Sequence, residues 1–363
     1  MRPRRASLAV VLFVLISTVG LSTVASGAPG DTDRLEMYRA TVDAAELQTL
    51  ERGGYDVASV QETPAGAEVA LVLTDAERER LRGQGVRLEE FRDGQGRTQR
   101  QRAEVQADAG FTVWRSFNEP GGLRDEMYEL ARRNPQLLKL KVLGRTHQGR
   151  EYIALKLTQG ARGVRDGARP AVLYASTYHA REWISPEVNR RLLRWYIDRW
   201  RANDKAVRRL LKDTELWFVL VHNPDGYQYT FDVERLWRKN LRDNDGDGAI
   251  TSNDGVDPNR NHSEHWRYDD EGSSSLFPSE TYRGPAPESE PETKAMVRLF
   301  DQVRFRFAIS YHSFGPLLLY TGMADPHALG RRPHLRGPHR EGHRPGGARV
   351  QPRSRGRPVH HQR

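Results

Sequence analysis

In the stretch Tyr178-His179-Ala180-Arg181-Glu182-Trp183-Ile184-Ser185, an imidazole and a carboxylate stand three residues apart, directly after the apolar run Ala171 to Thr177. A dication of zinc's borderline character takes imidazole nitrogen and carboxylate oxygen together. Spacing of i, i+3 in a tight turn or first helical turn lets both side chains reach one point. Such a pair is common on solvated helix faces, so it needs a third partner. His312 is the candidate, standing at the end of the strand-like run Phe307 to Tyr311. Ligands gather at strand C-termini in open α/β sheets. His179, Glu182 and His312 would give two imidazoles, one carboxylate and an open fourth position, the ligand set of a hydrolytic zinc site. The chain has no cysteine, so any metal site must use His, Asp or Glu.

These residues need a sheet to position them. From about Phe111 onward the pattern alternates. A helix is predicted over Gly122 to Arg133, then strands over Leu138 to Leu143 and Glu151 to Thr158 about a turn at Gly149. After the strand Ala171 to Thr177 comes a helix with Ser185 as N-cap and Pro186 at its first position. A strand over Glu215 to His222 follows. Ser289-Glu290-Pro291-Glu292 forms a capping-box pattern opening a helix to about Val303. Arg306 to Tyr311 and Leu317 to Tyr320 read as closing buried strands. The expected fold is α/β, a mostly parallel mixed sheet with helices on both faces.

Ahead of it, Glu36 to Phe91 reads as strand, helix, two strands, helix and strand: Tyr38 to Val42, Ala44 to Arg52, Tyr55 to Val60, Ala67 to Leu73, Thr74 to Gln84 and Val86 to Phe91. That order suggests a small α+β ferredoxin-like sandwich over residues 29–91. Residues 92–109 carry Arg92, Arg97, Arg100 and Arg102 without an apolar cluster. They are expected to form an exposed basic linker that a protease could cut. This layout suits a zymogen with a processing protease, or an ordinary two-domain protein with a hinge. Residues 1–28 combine a basic start, an apolar run from Leu8 to Leu21 and small residues before Pro29. The pattern reads as a secretory signal peptide; a membrane anchor is disfavoured because the run is short of ~20 residues.

The net charge of +9 does not imply nucleic-acid binding. Residues 331–363 hold ten arginines against one glutamate, which accounts for all of it. Neither a polyanion nor a stable membrane association is expected. A further motif, Asp243-Asn244-Asp245-Gly246-Asp247-Gly248 through Asp254, has calcium-loop spacing. Asp243, Asp245, Asp247 and Asp254 are its candidate ligands. The loop ends in Asp where Glu is usual and lacks flanking helices, so a polar turn is the competing reading.

His179-Ala180-Arg181-Glu182-Trp183-Ile184, Asn223-Pro224-Asp225-Gly226-Tyr227, Leu236-Trp237-Arg238-Lys239, Gly255 to Asn261 and Tyr311-His312-Ser313-Phe314 together resemble the zinc carboxypeptidases of A and B type. The likeness covers roughly residues 110–322, and residues 29–91 resemble that family's inhibitory prodomain in pattern. The resemblance implies one zinc ion on His179, Glu182 and His312, with Asp257 accepting from the other nitrogen of His179. It implies Arg238 as the group polarising the scissile carbonyl. Asn259 and Arg260 would receive the terminal carboxylate of a peptide or protein substrate, and Arg181 and Ser313 would line the next subsite inward. The implied protein is a secreted, extracellular precursor that removes C-terminal residues from peptides.

The family's general-base glutamate, its closing tyrosine and its specificity pocket lie downstream of the third zinc ligand, where this chain has 51 residues. Beyond Tyr320 the likeness is expected to stop, and residues 323–363 to be a disordered tail rich in Arg, Pro, Gly and His. A shifted reading frame or truncated gene would account for this; a basic tail for anionic surfaces is the alternative. On that reading a zinc- and peptide-binding remnant without its base competes with an active enzyme.

Overall fold

A computed structural model describes residues 34–313, apart from 65, 109–113 and 269–271. The predicted strand Leu317 to Tyr320, the signal segment and the basic tail lie outside the described residues.

The N-terminal elements are β1 (Glu36–Val42), α1 (Ala44–Arg52), β2 (Asp56–Thr63), β3 (Gly66–Leu73), α2 (Asp75–Gly83) and β4 (Glu89–Glu90). Their sheet has the order β2-β3-β1-β4, antiparallel throughout. Capping boxes start both helices, Asp43 with Glu46 and Thr74 with Glu77, each satisfying two amides that a helix end leaves open. Strand alternation divides the apolar residues between two faces. Tyr38, Ala40, Val42, Val69, Leu71 and Leu73 pack with Leu50 and Leu81 of the helices. Met37 and Val72 on the opposite face pack with Leu35 and with Leu236 of the larger body. β4 is far shorter than Val86 to Phe91, because Val86 and Leu88 are drawn onto the helix-side core.

The described part of the expected linker, residues 92–108, is not bare chain. Arg97 closes a turn onto Asp93 at 2.9 Å, and Gln99–Asp108 forms helix α3. Without an apolar stripe, the helix is tied by charge: Arg100 donates to Glu234 at 3.0 Å and to the Leu35 carbonyl at 2.8 Å.

The larger body contains α4 (Leu123–Arg133), β5 (Leu138–Arg145), β6 (Glu151–Leu157), β7 (Ala171–Ser176), α5 (Ile184–Arg201), α6 (Lys205–Asp213), β8 (Glu215–Val219), α7 (Pro224–Asp232), α8 (Pro291–Val303) and β9 (Phe307–Tyr311). The described strands run β5-β6-β8-β7-β9. β8, β7 and β9 are parallel, as expected, whereas β5-β6 and β6-β8 are antiparallel. The short turn at Thr146 to Arg150 leaves β5 and β6 no length for a crossover. Ile153, Leu155, Leu216 and Phe218 face α4, α5, α6 and α7. Their neighbours Tyr152, Ala154, Trp217 and Val219 face α8. The sheet is therefore covered by helices on both sides. β9 departs from the expectation of burial: paired only to β7 among the described strands, it leaves Phe307 72 % and Ile309 41 % exposed. Among the described residues no helix is long and apolar enough to cross a membrane.

Candidate metal centre

Parallel pairing of β7 with β9 sets Ser176 beside Tyr311, so the residues after both strands leave from one sheet edge. After β7 the chain turns at Thr177, whose φ of 60° is rare for a β-branched residue. Its amide donates to Ser185 Oγ at 3.1 Å and its hydroxyl to the Leu220 carbonyl at 3.0 Å. Ser185 Oγ donates in turn to the Glu182 carbonyl at 2.9 Å. Ser185 is thus a brace for the turn and not the N-cap of α5, a position that Trp183 occupies.

The turn brings three donors together. His179 Nδ1 lies 2.7 Å from Glu182 Oε1, and His312 Nδ1 lies 3.1 Å from Glu182 Oε2 and 3.2 Å from His179 Nδ1. Donors bound tetrahedrally to one zinc at ~2.1 Å stand about 3.4 Å apart. His179 and Glu182 are buried, and Glu182 Oε2 meets the His312 imidazole at 3.1 Å without a well-formed hydrogen bond. A buried carboxylate converging with two imidazoles is what a dication satisfies, so these residues fit zinc. Burial alone would raise the Glu182 carboxyl, but the imidazoles of His179 and His312 outweigh it and hold it well below its ordinary value.

Asp257 orients two of the groups. Its Oδ1 faces His179 Nε2 at 3.4 Å, and its Oδ2 accepts from Arg238 Nη2 at 2.8 Å and Nε at 3.1 Å. Burial opposes ionisation of Asp257, yet Arg238 and then His179 hold it well below the carboxylate range. Arg238 itself is held through Asn223, which caps α7 and donates to the Lys239 carbonyl at 2.9 Å. Gly226 is required there, since a Cβ would collide with that same carbonyl. Helix α7 escaped sequence reasoning because Pro224-Asp225-Gly226 reads as a turn.

Asn259 and Arg260 lie on a 3₁₀ turn, Pro258–Arg260, whose N-cap is Asp257. Asn259 is exposed, and the Arg260 guanidinium donates to the carbonyls of Gly272 at 2.6 Å and Asn259 at 3.0 Å. Ser313 follows His312 and is half-buried. Arg181 donates to the Leu236 carbonyl at 3.4 Å and stands 3.9 Å from Glu280 Oε2. Its closest partner is Asp56 of β2, whose other oxygen lies 3.4 Å from Arg238 Nη1. Sequence reasoning missed Asp56; its only signal was an acid at the start of a strand. It also missed His222, which is buried, 2.7 Å from the Tyr152 hydroxyl and stacked on Tyr178 at 3.9 Å. Burial keeps His222 far below its ordinary value, hence neutral.

In the acidic loop, ligand atoms of Asp243, Asp245 and Asp254 group together, but Asp247 does not join them. The carboxylates are already taken by the loop's own amides: Gly246 and Gly248 donate to Asp243, and Asn244 and Thr251 to Asp254. The calcium expectation therefore gains no support, and the loop is accounted for as a polar turn.

Residues 123–341 match the family model described as zinc carboxypeptidase, past residue 322 where the likeness was expected to end. Zinc carboxypeptidase A 1 of Drosophila melanogaster is 34 % identical over 57 % of this chain and 46 % of its own length. Carboxypeptidase B of Astacus astacus is 30 % identical over 57 % of this chain and 64 % of its own length. The chain thus spans less than two thirds of each. The solved structure of carboxypeptidase A from Helicoverpa armigera superposes with a TM-score of 0.63 at 24 % identity, covering 82 % of this chain and 75 % of that one. With a family match over more than half its length, and with His179, Glu182 and His312 gathered at the sheet edge, this chain belongs to the zinc carboxypeptidase family.

Proposed function

We propose that this chain is the precursor of a secreted, extracellular zinc carboxypeptidase that removes the C-terminal residue from peptides and proteins. The observation that carries this reading is the convergence of His179, Glu182 and His312 at one sheet edge, with the buried Arg238 and the partly buried Arg181 of the same region both meeting Asp56 of the small sheet.

Zinc held by His179, Glu182 and His312 would polarise a carbonyl and acidify a water molecule. Arg238 donates to the scissile carbonyl oxygen and stabilises the negative charge that grows there, since a guanidinium never loses its proton. Its charge is secure: burial opposes it, but Asp257 and Asp56 raise it above its ordinary value. Arg260 and Asn259 receive the substrate's terminal carboxylate, and Arg181 and Ser313 hold the chain further inward. Asp257 fixes the ring of His179 so that Nδ1 faces Glu182. The family resemblance places the proton acceptor downstream of His312, beyond the described residues, where sequence reasoning identified no candidate, so a zinc- and peptide-binding remnant without its base is the competing reading.

In the precursor Asp56 lies against Arg238 and Arg181, where substrate oxygens would otherwise lie. Cleavage within residues 92–109 by an external protease then frees the site. The test is to supply the cut protein with zinc and offer matched peptides ending in a free acid or an amide. Chelator-sensitive release from the free acid alone supports the reading; release from both, or from neither, refutes it.

A further inference from the structure

The turn between β5 and β6 and the start of α8 bring together residues that the peptidase chemistry does not use. His147 Nε2 lies 2.7 Å from Glu290 Oε2, and single ligand atoms of His147, Glu290 and Glu292 all lie within 4.8 Å of one another. Glu292 was expected to close a capping box, but α8 has no side-chain cap. Instead Glu292 is 1 % exposed and neither of its oxygens makes a well-formed hydrogen bond, its own backbone amide and Asn240 being only weak partners.

The surrounding groups are otherwise satisfied. Glu290 accepts from Asn240 at 2.8 Å, Ser289 at 2.7 Å and Arg242 at 3.3 Å. Buried Asp225 accepts from Thr146 at 2.7 Å, the Gln148 amide at 2.9 Å and Arg150 at 2.9 Å. Three buried carboxylates, Asp225, Glu290 and Glu292, therefore face two guanidiniums, Arg150 and Arg242, and the imidazole of His147. Arg150 meets Asp225, and Arg242 and His147 meet Glu290, so among the described residues Glu292 has no ion-pair partner of its own. A buried carboxylate must be paired, protonated or bound to a metal. A buried carboxylate oxygen without a well-formed hydrogen bond, near an imidazole, is also found at Glu182 in the zinc centre.

We propose that His147, Glu290 and Glu292 form a second zinc site, separate from the peptidase centre, which ties the β5–β6 turn to the N-terminal end of α8. One imidazole nitrogen with carboxylate oxygens suits zinc; calcium takes oxygen ligands only, and six to eight of them. Because α8 supplies Ala295, Met296 and Leu299 to one side of the core, the ion fastens a helix that the sheet depends on.

The test uses the full chain, stripped of metal, reloaded with zinc and counted by elemental analysis after gel filtration. His147→Ala and Glu292→Gln should each bind one zinc fewer than the wild type, and each should lose part of the zinc-induced rise in melting temperature. His179→Ala should also bind one fewer, and the double variant His179→Ala/His147→Ala two fewer. Reading differences between variants cancels any ion held by the histidines of the C-terminal segment. His147 stands on an exposed turn, so its variant decides the matter even if the buried Glu292→Gln fails to fold. Zinc content in His147→Ala equal to wild type overturns the proposal. So does a folded Glu292→Gln with unchanged zinc, which would mark Glu292 as a buried neutral acid.

Discussion

Asp56 Oδ1 stands 3.4 Å from Arg238 Nη1, and the other oxygen of the same carboxylate pairs with Arg181. This contact crosses from the small sheet to the larger body, and the carboxylate is 1 % exposed. It is anchored on one side by the Gly54 carbonyl, which accepts from Ser279 Oγ at 2.6 Å. A fully desolvated carboxylate between two guanidiniums is a strong lock only while all three are present, because each charge left alone is left buried.

Asp56→Asn should therefore loosen the small domain from the rest. Truncating one partner of a buried charge pair costs ~2–5 kcal/mol at an interface, or roughly 30-fold to several-thousandfold in affinity. The measurement is dissociation of the small fragment from protein nicked within residues 92–109. Unchanged dissociation would show that the apolar contact of Leu35, Met37 and Val72 with Leu236 holds the fragment instead.

Replacing His179, Glu182 or His312 should each remove the zinc of the peptidase centre. Asp257→Asn should be milder, since losing the partner that orients a ligand costs typically 10–100-fold in metal affinity. Zinc titration against a competing chelator measures both. Asp257→Asn binding zinc as tightly as wild type would show that the 3.4 Å contact to His179 Nε2 carries no orienting role.

Much of this site was legible in the sequence because its residues stand in short runs at strand ends. His179 and Glu182 follow β7, His312 follows β9, and Asp257 precedes Asn259 and Arg260. Most of the α and β elements around them, α6 and α7 excepted, were legible for the same reason, since apolar period and caps are local properties. Asp56, Glu280 and the neutral His222 were not. Each draws its role from partners more than a hundred residues away or from burial, and neither leaves a mark on neighbouring residues. Ser185 and Glu292 misled in a related way: both fit a capping pattern, but tertiary contacts placed Ser185 against Thr177 and left Glu292 uncapping.

The contact between the two bodies should also respond to pH. Burial, with Asp56 and Glu77 across the contact, pushes the Glu280 carboxyl up to about 7 against the pull of Lys239 and Arg181. A carboxyl held above its unfolded value of ~4.3 binds its proton more tightly when folded. Its stabilising contribution is complete below about pH 4.3 and is lost as pH rises through about 7. The lowered carboxyls of Glu182 and Asp257 act in the opposite sense, but on the acid side of this window. The uncut chain should melt at lower temperature at pH 8 than at pH 5.5, and Glu280→Gln should flatten that slope. An identical slope in wild type and variant would remove Glu280 from the account.

Cleavage of the chain by a trypsin-like protease near residues 100–102 should be limited by helix α3, not by a bare linker. Arg100 reaches Glu234 at 3.0 Å, and Glu234 is buried while Arg100 is only partly exposed. A trypsin-like protease needs the chain extended, so it must first undo this pair and unwind the helix. Glu234→Gln keeps the acceptor that the Leu236 amide uses at 3.0 Å but removes the charge facing Arg100. With solvent screening, such a pair is worth up to ~1 kcal/mol, so cutting after Arg100 and Arg102 should quicken roughly fivefold. Early cuts at equal rates in wild type and variant would mean that α3 opens without regard to Glu234. Early cuts inside β1 to β3 would mean that the small sheet, and not α3, is the first part of the chain to yield.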